Sequence, residues 1–439
     1  MVRWSAFERE IPSWYSDAKF GLMVSWGAFS VPAWGEPIGE LGTVEDWEYW
    51  FAHNPYAEWY FNTIRIPGSG AAQYHLENFG GCQYDDLLDM WKASRFDPDD
   101  WAKQFAYAGA RYIVPLSKHH DGITLWDAPG TGTRNTVHRG PKRDLIGEIA
   151  EAVEKAGMRS AVYYSGGLDW GLETFPPHCQ ESDVRNFRPN DAAYSMYAYN
   201  QVKDLIDRYK PGVLWNDIEW PDFSKSHEGP YSLSSLFKYY YSVVPDGVIN
   251  DRWGETHSDF KTSEYQHFAQ NEGAKAWENC RGIGLSFGYN KLESEAHSLT
   301  STTAIKHLID VVSRGGNLLL NVGPTADGEI PEIQAKVLRG IGDWMSINSE
   351  SIYGTRVFTE EREDSSAWSR WTTKGRDVYL FVDHLPENDS LEIRLPQSVK
   401  GSSAKYLENE QSLSITGDFI TIELSQSKIP GPQVIKFSS

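Results

Sequence analysis

The sequence predicts an α/β fold, an irregular (β/α) barrel of the TIM type followed by a C-terminal β-sandwich, and three features carry that expectation. Up to about residue 350, short apolar runs alternate with amphipathic helical stretches, the pattern of βα units around a parallel sheet. After Tyr353 the apolar residues recur at every second position instead. No GxGxxG follows a first strand, which removes the main support for a dinucleotide-binding, doubly wound sheet.

Strands are predicted at Phe20 to Val24, Arg111 to Leu116, Arg159 to Tyr164, Val213 to Asn216, Gly247 to Asn250 and Asn317 to Val322. Each is short and mostly apolar, as a strand covered on both faces must be. The helices between them have legible ends. Asp97-Pro98 starts one that carries Trp101, Phe105 and Ala108 on a single face. Asp144 to Ala156 sets Leu145, Ile149, Val153 and Ala156 at helical spacing, and Gly157 stops it. Pro331 opens a third with Ile333, Val337, Ile341 and Trp344 inward. So many units fit a barrel better than a compact doubly wound sheet. In the tail, Leu391, Ile393 and Leu395 alternate with Glu392 and Arg394, and Ile420, Ile422 and Leu424 with Thr421 and Glu423, as in half-buried antiparallel strands. The expected division is therefore a (β/α) barrel domain over 1–354, the one whose strand ends can carry chemistry, and a β-sandwich domain over 355–439. No linker of low complexity separates them, so the two are expected to pack closely.

Composition narrows the function classes. With 61 acidic against 41 basic residues, the formal charge of -20 repels nucleic-acid backbones and anionic membranes alike. Eighteen Trp and 23 Tyr supply flat apolar faces of the sort sugars use, although a large core uses them too. Cys82, Cys179 and Cys280 form no CxxC pair and read as reduced, mostly buried thiols. No cofactor or metal is called for. The segment from Met1 to Tyr15 lacks the basic-then-apolar layout of a leader, so the chain as written reads as soluble and cytoplasmic, or as secreted or periplasmic had a leader been removed. The oligomeric state is not legible.

In a (β/α) barrel the reactive groups sit just past the C-terminal ends of the strands. Those positions hold Ser117-Lys118-His119-His120-Asp121-Gly122, Tyr164-Ser165-Gly166-Gly167, Trp215-Asn216-Asp217 and Asn250-Asp251-Arg252. A single Asp after a strand is more often a cap or turn former, but four such clusters converge on one rim. His119 and His120 could be metal ligands, yet neighbours on an extended chain point to opposite sides, so one ion would rarely take both. Alternatively each ring bonds a different hydroxyl of one polar ligand. Glycoside hydrolysis needs two carboxylates flanking the scissile bond. Asp217 is the natural first, its stem buried by Val213, Leu214 and Trp215 and its charge matched by Arg252. Glu264, in the expected loop from Asp259 to Tyr265, is the natural second, although spacing alone ranks it hardly above Glu219, Asp169 or Asp251.

At these residues the chain resembles the glycoside hydrolase family 29 α-L-fucosidases. The matching segments run in order: Trp14-Tyr15 with Lys19-Phe20-Gly21-Leu22, Ala57-Glu58-Trp59-Tyr60, Lys118-His119-His120-Asp121-Gly122, Gly140-Pro141-Lys142-Arg143-Asp144-Leu145, Tyr163-Tyr164-Ser165, Leu214-Trp215-Asn216-Asp217, Gly315-Gly316-Asn317-Leu318-Leu319-Leu320-Asn321 and Ser351-Ile352-Tyr353-Gly354. The resemblance implies a retaining exo-α-L-fucosidase acting on fucosylated oligosaccharides through a covalent intermediate. It implies Asp217 as nucleophile and Glu264 as acid/base, with Glu219 in reserve, and Arg252 as a sugar-site arginine twelve residues before Glu264. Glu58, Trp59, His119, His120 and Tyr164 match residues lining the fucose pocket, and Trp215 and Phe287 match walls near the sugar's methyl group. One position departs: the family's Phe-Gly-Leu-aliphatic-aliphatic-His-Trp-Gly reads Phe20-Gly21-Leu22-Met23-Val24-Ser25-Trp26-Gly27 here, placing Ser25 where a histidine usually meets the 4-hydroxyl. A hydrolase for a related sugar, such as an α-L-galactoside or a sulfated fucan, therefore stays open, as does a non-catalytic carbohydrate-binding protein. Retention of both Asp217 and Glu264 argues against the latter.

Overall fold

Among the described residues nine strands form one parallel, barrel-like sheet: β1 (Phe20–Val24), β2 (Tyr112–Lys118), β3 (Arg159–Ser160), β4 (Val162–Ser165), β5 (Val213–Asp217), β6 (Val248–Ile249), β7 (Lys261–Glu264), β8 (Trp277–Gly282) and β9 (Asn317–Val322). The computed structural model describes residues 2–172, 175–265, 276–360, 367–383, 390–423 and 429–438. The strand order is β6-β5-β4-β2-β1-β9-β8-β7, with β3 paired to β2. Among the described residues β6 and β7 share no ladder. Asp259 sits between them instead, its N–H donating to Ile249 O at 2.9 Å and its carboxylate accepting from Ile249 N–H at 2.9 Å.

All five residues of β1 and all six of β9 are buried, so the centre of the sheet has no solvent face. That is why apolar runs marked these strands in the sequence. The helices outside them follow the same logic. Asp97 accepts from Asp100 N–H to cap Pro98–Ala108, which buries Trp101, Phe105 and Ala108. Asp144 accepts from Gly147 N–H to cap Leu145–Lys155, which buries Leu145, Ile149 and Val153. Pro331 precedes Glu332–Asn348, which buries Val337, Ile341 and Trp344.

Two expectations change. The single strand expected over Arg159 to Tyr164 is two, interrupted at Ala161. The loop expected from Asp259 to Tyr265 contains β7, and β8 was not anticipated at all. Both strands are polar: Lys-Thr-Ser-Glu has no apolar residue, and β8 buries Glu278, Asn279 and Arg281 inside the sheet. A strand that lines a polar interior loses the apolar signal by which strands are read.

Beyond residue 355 the described residues form two antiparallel sheets, one of six strands and one of three. In Ser390–Arg394, Leu391 and Ile393 are buried and their neighbours exposed; in Phe419–Glu423 the same holds for Ile420 and Ile422. Leu424, expected to continue that alternation, lies outside the described residues. The six-stranded sheet leans on the helices Ser301–Ser313 and Glu332–Asn348: Trp344 Nε1 donates to Pro432 O at 2.9 Å, and Arg370 and Lys306 pair with Asp310 and Asp383 respectively. No helix among the described residues is long and apolar enough to cross a membrane.

Candidate active site

The C-terminal ends of β1, β2, β4, β5 and β7 open into one cavity of about 340 Å³. Ser25, Glu58, Trp59, His119, His120, Trp215, Asp217, Arg252, Glu264 and Phe287, all singled out from sequence, line it. Its centre is Arg252. Nη1 donates to Asp217 Oδ1 at 3.1 Å and Nη2 to Glu264 Oε2 at 3.0 Å, so one guanidinium bridges both carboxylates. Nε donates to Thr262 Oγ1 at 3.1 Å, and the guanidinium lies 4.6 Å from the centre of the Trp215 ring. Burial alone would lower the Arg252 pKa, but the charges of Asp217 and Glu264 outweigh it and raise the value further, so the cation is permanent. Asp217 Oδ2 accepts from the Tyr163 hydroxyl at 2.8 Å, and Glu264 Oε1 from the Tyr56 hydroxyl at 3.2 Å. Burial, and then the Asp217 charge, push the Tyr163 phenol well above its ordinary range and keep it a donor.

The two histidines share the pocket, contrary to the opposite-side expectation: their ring centres are 3.9 Å apart. The chain has already left β2 at Lys118, so strand alternation no longer applies to them. Burial holds both imidazoles well below their ordinary pKa and hence neutral near pH 7. The tautomer of His120 follows from its partners. Ser165 Oγ gives its one proton to Leu168 O at 3.0 Å, so it must accept from His120 Nδ1 at 2.7 Å. The lone pair of His120 is then on Nε2, 3.8 Å from Asp217 Oδ2, where it can accept from a ligand hydroxyl. His119 Nδ1 is buried with no hydrogen-bond partner. Beside it Glu58 accepts from Gly288 N–H at 2.7 Å and from Ser286 Oγ at 3.2 Å, and burial raises its pKa to about 7. Among the described residues no group of three or more His, Cys, Asp or Glu is placed to hold a metal ion.

Ser25 is fully buried and donates to Asn321 Oδ1 at 2.6 Å, while Asn321 Nδ2 donates to Phe287 O at 2.6 Å. With its only proton committed, Ser25 can meet a ligand only as an acceptor. The Trp59 ring packs edge-on against His120 at 5.3 Å, and Phe287 edge-on against Tyr56 at 5.5 Å.

Tyr164 needs correction. Its hydroxyl donates to Gln201 Oε1 at 2.9 Å and its ring packs against Trp220, away from the cavity. Alternation along β4 turns Tyr163 inward and Tyr164 outward, so Tyr163 is the cavity residue of the Tyr163-Tyr164-Ser165 segment. Tyr56 was missed altogether, since it precedes a short helical turn and no strand signal marks it. Glu219 reaches the cavity wall, but its carboxylate is held by Lys225 at 2.8 Å and Arg188 at 3.2 Å rather than by the arginine that Asp217 uses.

The backbone after Asp217 is unusual. Ile218 and Glu219 both adopt the left-handed region, at φ 56° and 66°, which is costly for a β-branched residue. Asn216 clamps the turn, its Nδ2 donating to Glu219 O and Arg252 O at 2.7 Å each. Gly167 lets the turn approach: a Cβ there would stand 1.6 Å from Ile218 O.

Comparison with known proteins places these features in context. The family model described as Alpha-L-fucosidase matches residues 3–350. An α-L-fucosidase of Dictyostelium discoideum is 35% identical over 87% of this chain and 80% of its own. A Thermotoga maritima α-fucosidase solved in complex with fucose is 40% identical, covers 98% of this chain and 97% of its own, and superposes with a TM-score of 0.86. A Thermotoga maritima α-L-fucosynthase in complex with α-L-Fuc-(1-2)-β-L-Fuc-N3 gives 40% identity, 99% and 98% coverage and a TM-score of 0.90.

Proposed function

The chain belongs to the alpha-L-fucosidase family, and from that premise we propose that it removes terminal α-L-fucose from fucosylated oligosaccharides with retention of configuration, Asp217 acting as nucleophile and Glu264 as acid/base. The observation that carries the residue assignment is the Arg252 bridge. Retaining pairs stand about 5 Å apart and inverting pairs roughly 6.5–9.5 Å apart, with a water between. Sharing one guanidinium favours the closer arrangement.

In the first step an Asp217 oxygen bonds to the anomeric carbon while Glu264 gives its proton to the departing glycosidic oxygen. In the second, Glu264 takes a proton from water, whose oxygen displaces Asp217 and restores the carboxylate. Tyr163 and Arg252 orient Asp217 for attack and receive it back as an anion. His120 Nε2 accepts from a sugar hydroxyl, and Glu58 and His119 offer further polar contacts to the ring. Trp59, Trp215 and Phe287 supply apolar faces, Trp215 and Phe287 toward the 6-methyl group.

We also propose that residues 1–354 form a TIM-like catalytic domain and 355–439 a β-sandwich bracing its flank, a reading supported by the parallel order of one region and the antiparallel order of the other.

Proton NMR of the first sugar released from an aryl α-L-fucoside tests the mechanism: the α anomer is expected first, and initial β-fucose would overturn the covalent route. Asp217→Ala is expected to abolish turnover with the fold intact. Glu264→Ala is expected to slow poor leaving groups most, by ~10²- to 10⁴-fold. If Asp217→Ala kept a tenth of the activity, the nucleophile would be another residue.

A further inference from the structure

Beneath the cavity lies a carboxyl group that the mechanism does not use. Glu278, on β8, has no solvent exposure. Its Oε2 accepts from the hydroxyls of Tyr112 at 2.6 Å and Tyr15 at 3.1 Å, and its Oε1 accepts from Trp215 Nε1 at 2.9 Å. Three donors from three elements meet on one side chain, and together they offset the cost of taking a carboxyl group out of water.

What it holds is the plate on which the catalytic groups rest. The Trp215 ring stacks on Tyr163 at 5.4 Å and 20°, and Arg252 lies over it at 4.6 Å. Tyr163 and Arg252 both donate to the Asp217 carboxylate, and Arg252 also binds Glu264. An indole without its N–H anchor can pivot about its χ angles, and any pivot moves both donors together. We infer that Glu278 is a positioning residue for the reaction: by fixing the Trp215 indole from below, it sets the placement of Arg252 and Tyr163 and through them the catalytic carboxylates. This rests on the fucosidase reading above.

The charge of Glu278 adds a second readout. The titratable groups facing it are Tyr15 from the N-terminal helix, Tyr112 from β2, Cys280 from its own strand and Arg252 beyond β6. Burial raises its pKa to about 7, with the three hydrogen bonds and Arg252 opposing. It is therefore mostly ionised only above neutrality, and there its anion offsets part of the Arg252 charge.

The test is Glu278→Gln in the full chain, assayed on an aryl α-L-fucoside. Glutamine keeps the volume but offers one acceptor oxygen where Glu278 offers two, so the Trp215 N–H and the two tyrosine hydroxyls can no longer all donate to it and the indole loses its charged anchor. The expected result is a fall in kcat of at least ~10-fold, toward the ~10²-fold that small misplacements cost. KM stays within about threefold. The alkaline limb of the kcat/KM profile moves to lower pH, because the anion beside Arg252 is gone, and the acid limb does not move. Trp215→Phe, which keeps a ring but removes the N–H, is expected to lower kcat likewise and to combine non-additively with Glu278→Gln. A folded Glu278→Gln with wild-type kcat, or with lowered kcat and an unmoved alkaline limb, would overturn the inference. If Glu278→Gln does not fold, Trp215→Phe decides, and wild-type kcat there overturns it. Absence of wild-type turnover on the aryl fucoside would instead sink the fucosidase reading and this one with it.

Discussion

Ser25 has one proton, and Asn321 takes it. The departure from the usual histidine is thus more than a shortened ligand, since an imidazole there must find a new arrangement with Asn321, which also holds the Phe287 carbonyl. Ser25→His is expected to preserve or improve hydrolysis of unsubstituted fucosides, by up to the ~1 kcal/mol of one neutral hydrogen bond, and to abolish any action on 4-substituted ones. Steady-state kinetics on both substrate types checks it. A large loss on unsubstituted fucosides with the fold unchanged would show that the Asn321 link matters more than reach to the sugar. The adjacent tyrosines of β4 give a second comparison. Tyr163→Phe removes a bond to a charged carboxylate, worth about 1.5–3 kcal/mol, and is expected to cut kcat/KM by roughly 10- to 100-fold. Tyr164→Phe loses only a partner of Gln201, and its kcat/KM is expected to stay within about threefold of wild type. Equal losses in the two variants would reverse the assignment of Tyr163 to the cavity. Residue types were legible in the sequence here, but not which of two neighbours faces inward. That is set by strand phase, and β4 starts at Val162, after the interruption at Ala161.

At the scale of elements, the turn after β5 depends on close approach. Ile218 and Glu219 sit in left-handed conformations because the Ser165-Gly166-Gly167 segment leaves room for them and Asn216 ties the turn back. Gly167→Ala would drive a methyl group into Ile218 O. The change is expected to cost about 1–3 kcal/mol of stability and to displace Asp217, lowering kcat by ~10²-fold. Thermal melts and turnover together check it, and an unchanged kcat would mean that the turn relaxes without moving the nucleophile. The sequence made β1, β5 and β9 legible because both of their faces are covered by apolar neighbours. It hid β7 and β8 because the side chains they turn inward include Thr262, Glu264 and Glu278, polar groups in a functional interior. The difficulty of reading those strands and the presence of a site share one cause.

At the scale of the whole molecule, burial of carboxyls couples stability to pH. Glu58 and Glu278 are each raised to about 7 by burial. A raised carboxyl binds its proton in the native state where the unfolded chain has released it. Its contribution is fully present below the unfolded value of about 4.5 and is lost as pH rises through about 7. Neutral, buried His119 and His120 act in the opposite sense, favouring the fold above their unfolded pKa and losing that contribution as pH falls. Comparing Glu278→Gln with wild type cancels the histidines. The variant is expected to gain up to about 3 kcal/mol relative to wild type between pH 4.5 and 8, seen as a melting-temperature difference that moves in its favour as pH rises. A pH-independent difference would mean that Glu278 titrates normally. The change of pattern near residue 355 was visible in the sequence as a switch from helical to period-two spacing. The seam itself was not, because Pro432, Trp344 and the Asp310 pair meet only in three dimensions.

That seam has a consequence for how the molecule is made. Trp344 and Ile305 are fully covered, and the chain that closes over them near Gly431 is made only after every strand of the parallel sheet. A nascent chain that has reached Gly354 holds every strand of the parallel sheet yet still bares the flank that Phe381 and Val434 will seal. At about 5–20 residues per second, synthesis of the ~80 residues from Gly354 to Val434 leaves that apolar flank open for roughly 4–16 s. Holdase chaperones have their opportunity in that interval. Slowing translation after Gly354 is expected to lower the soluble yield without changing the specific activity of the molecules that survive.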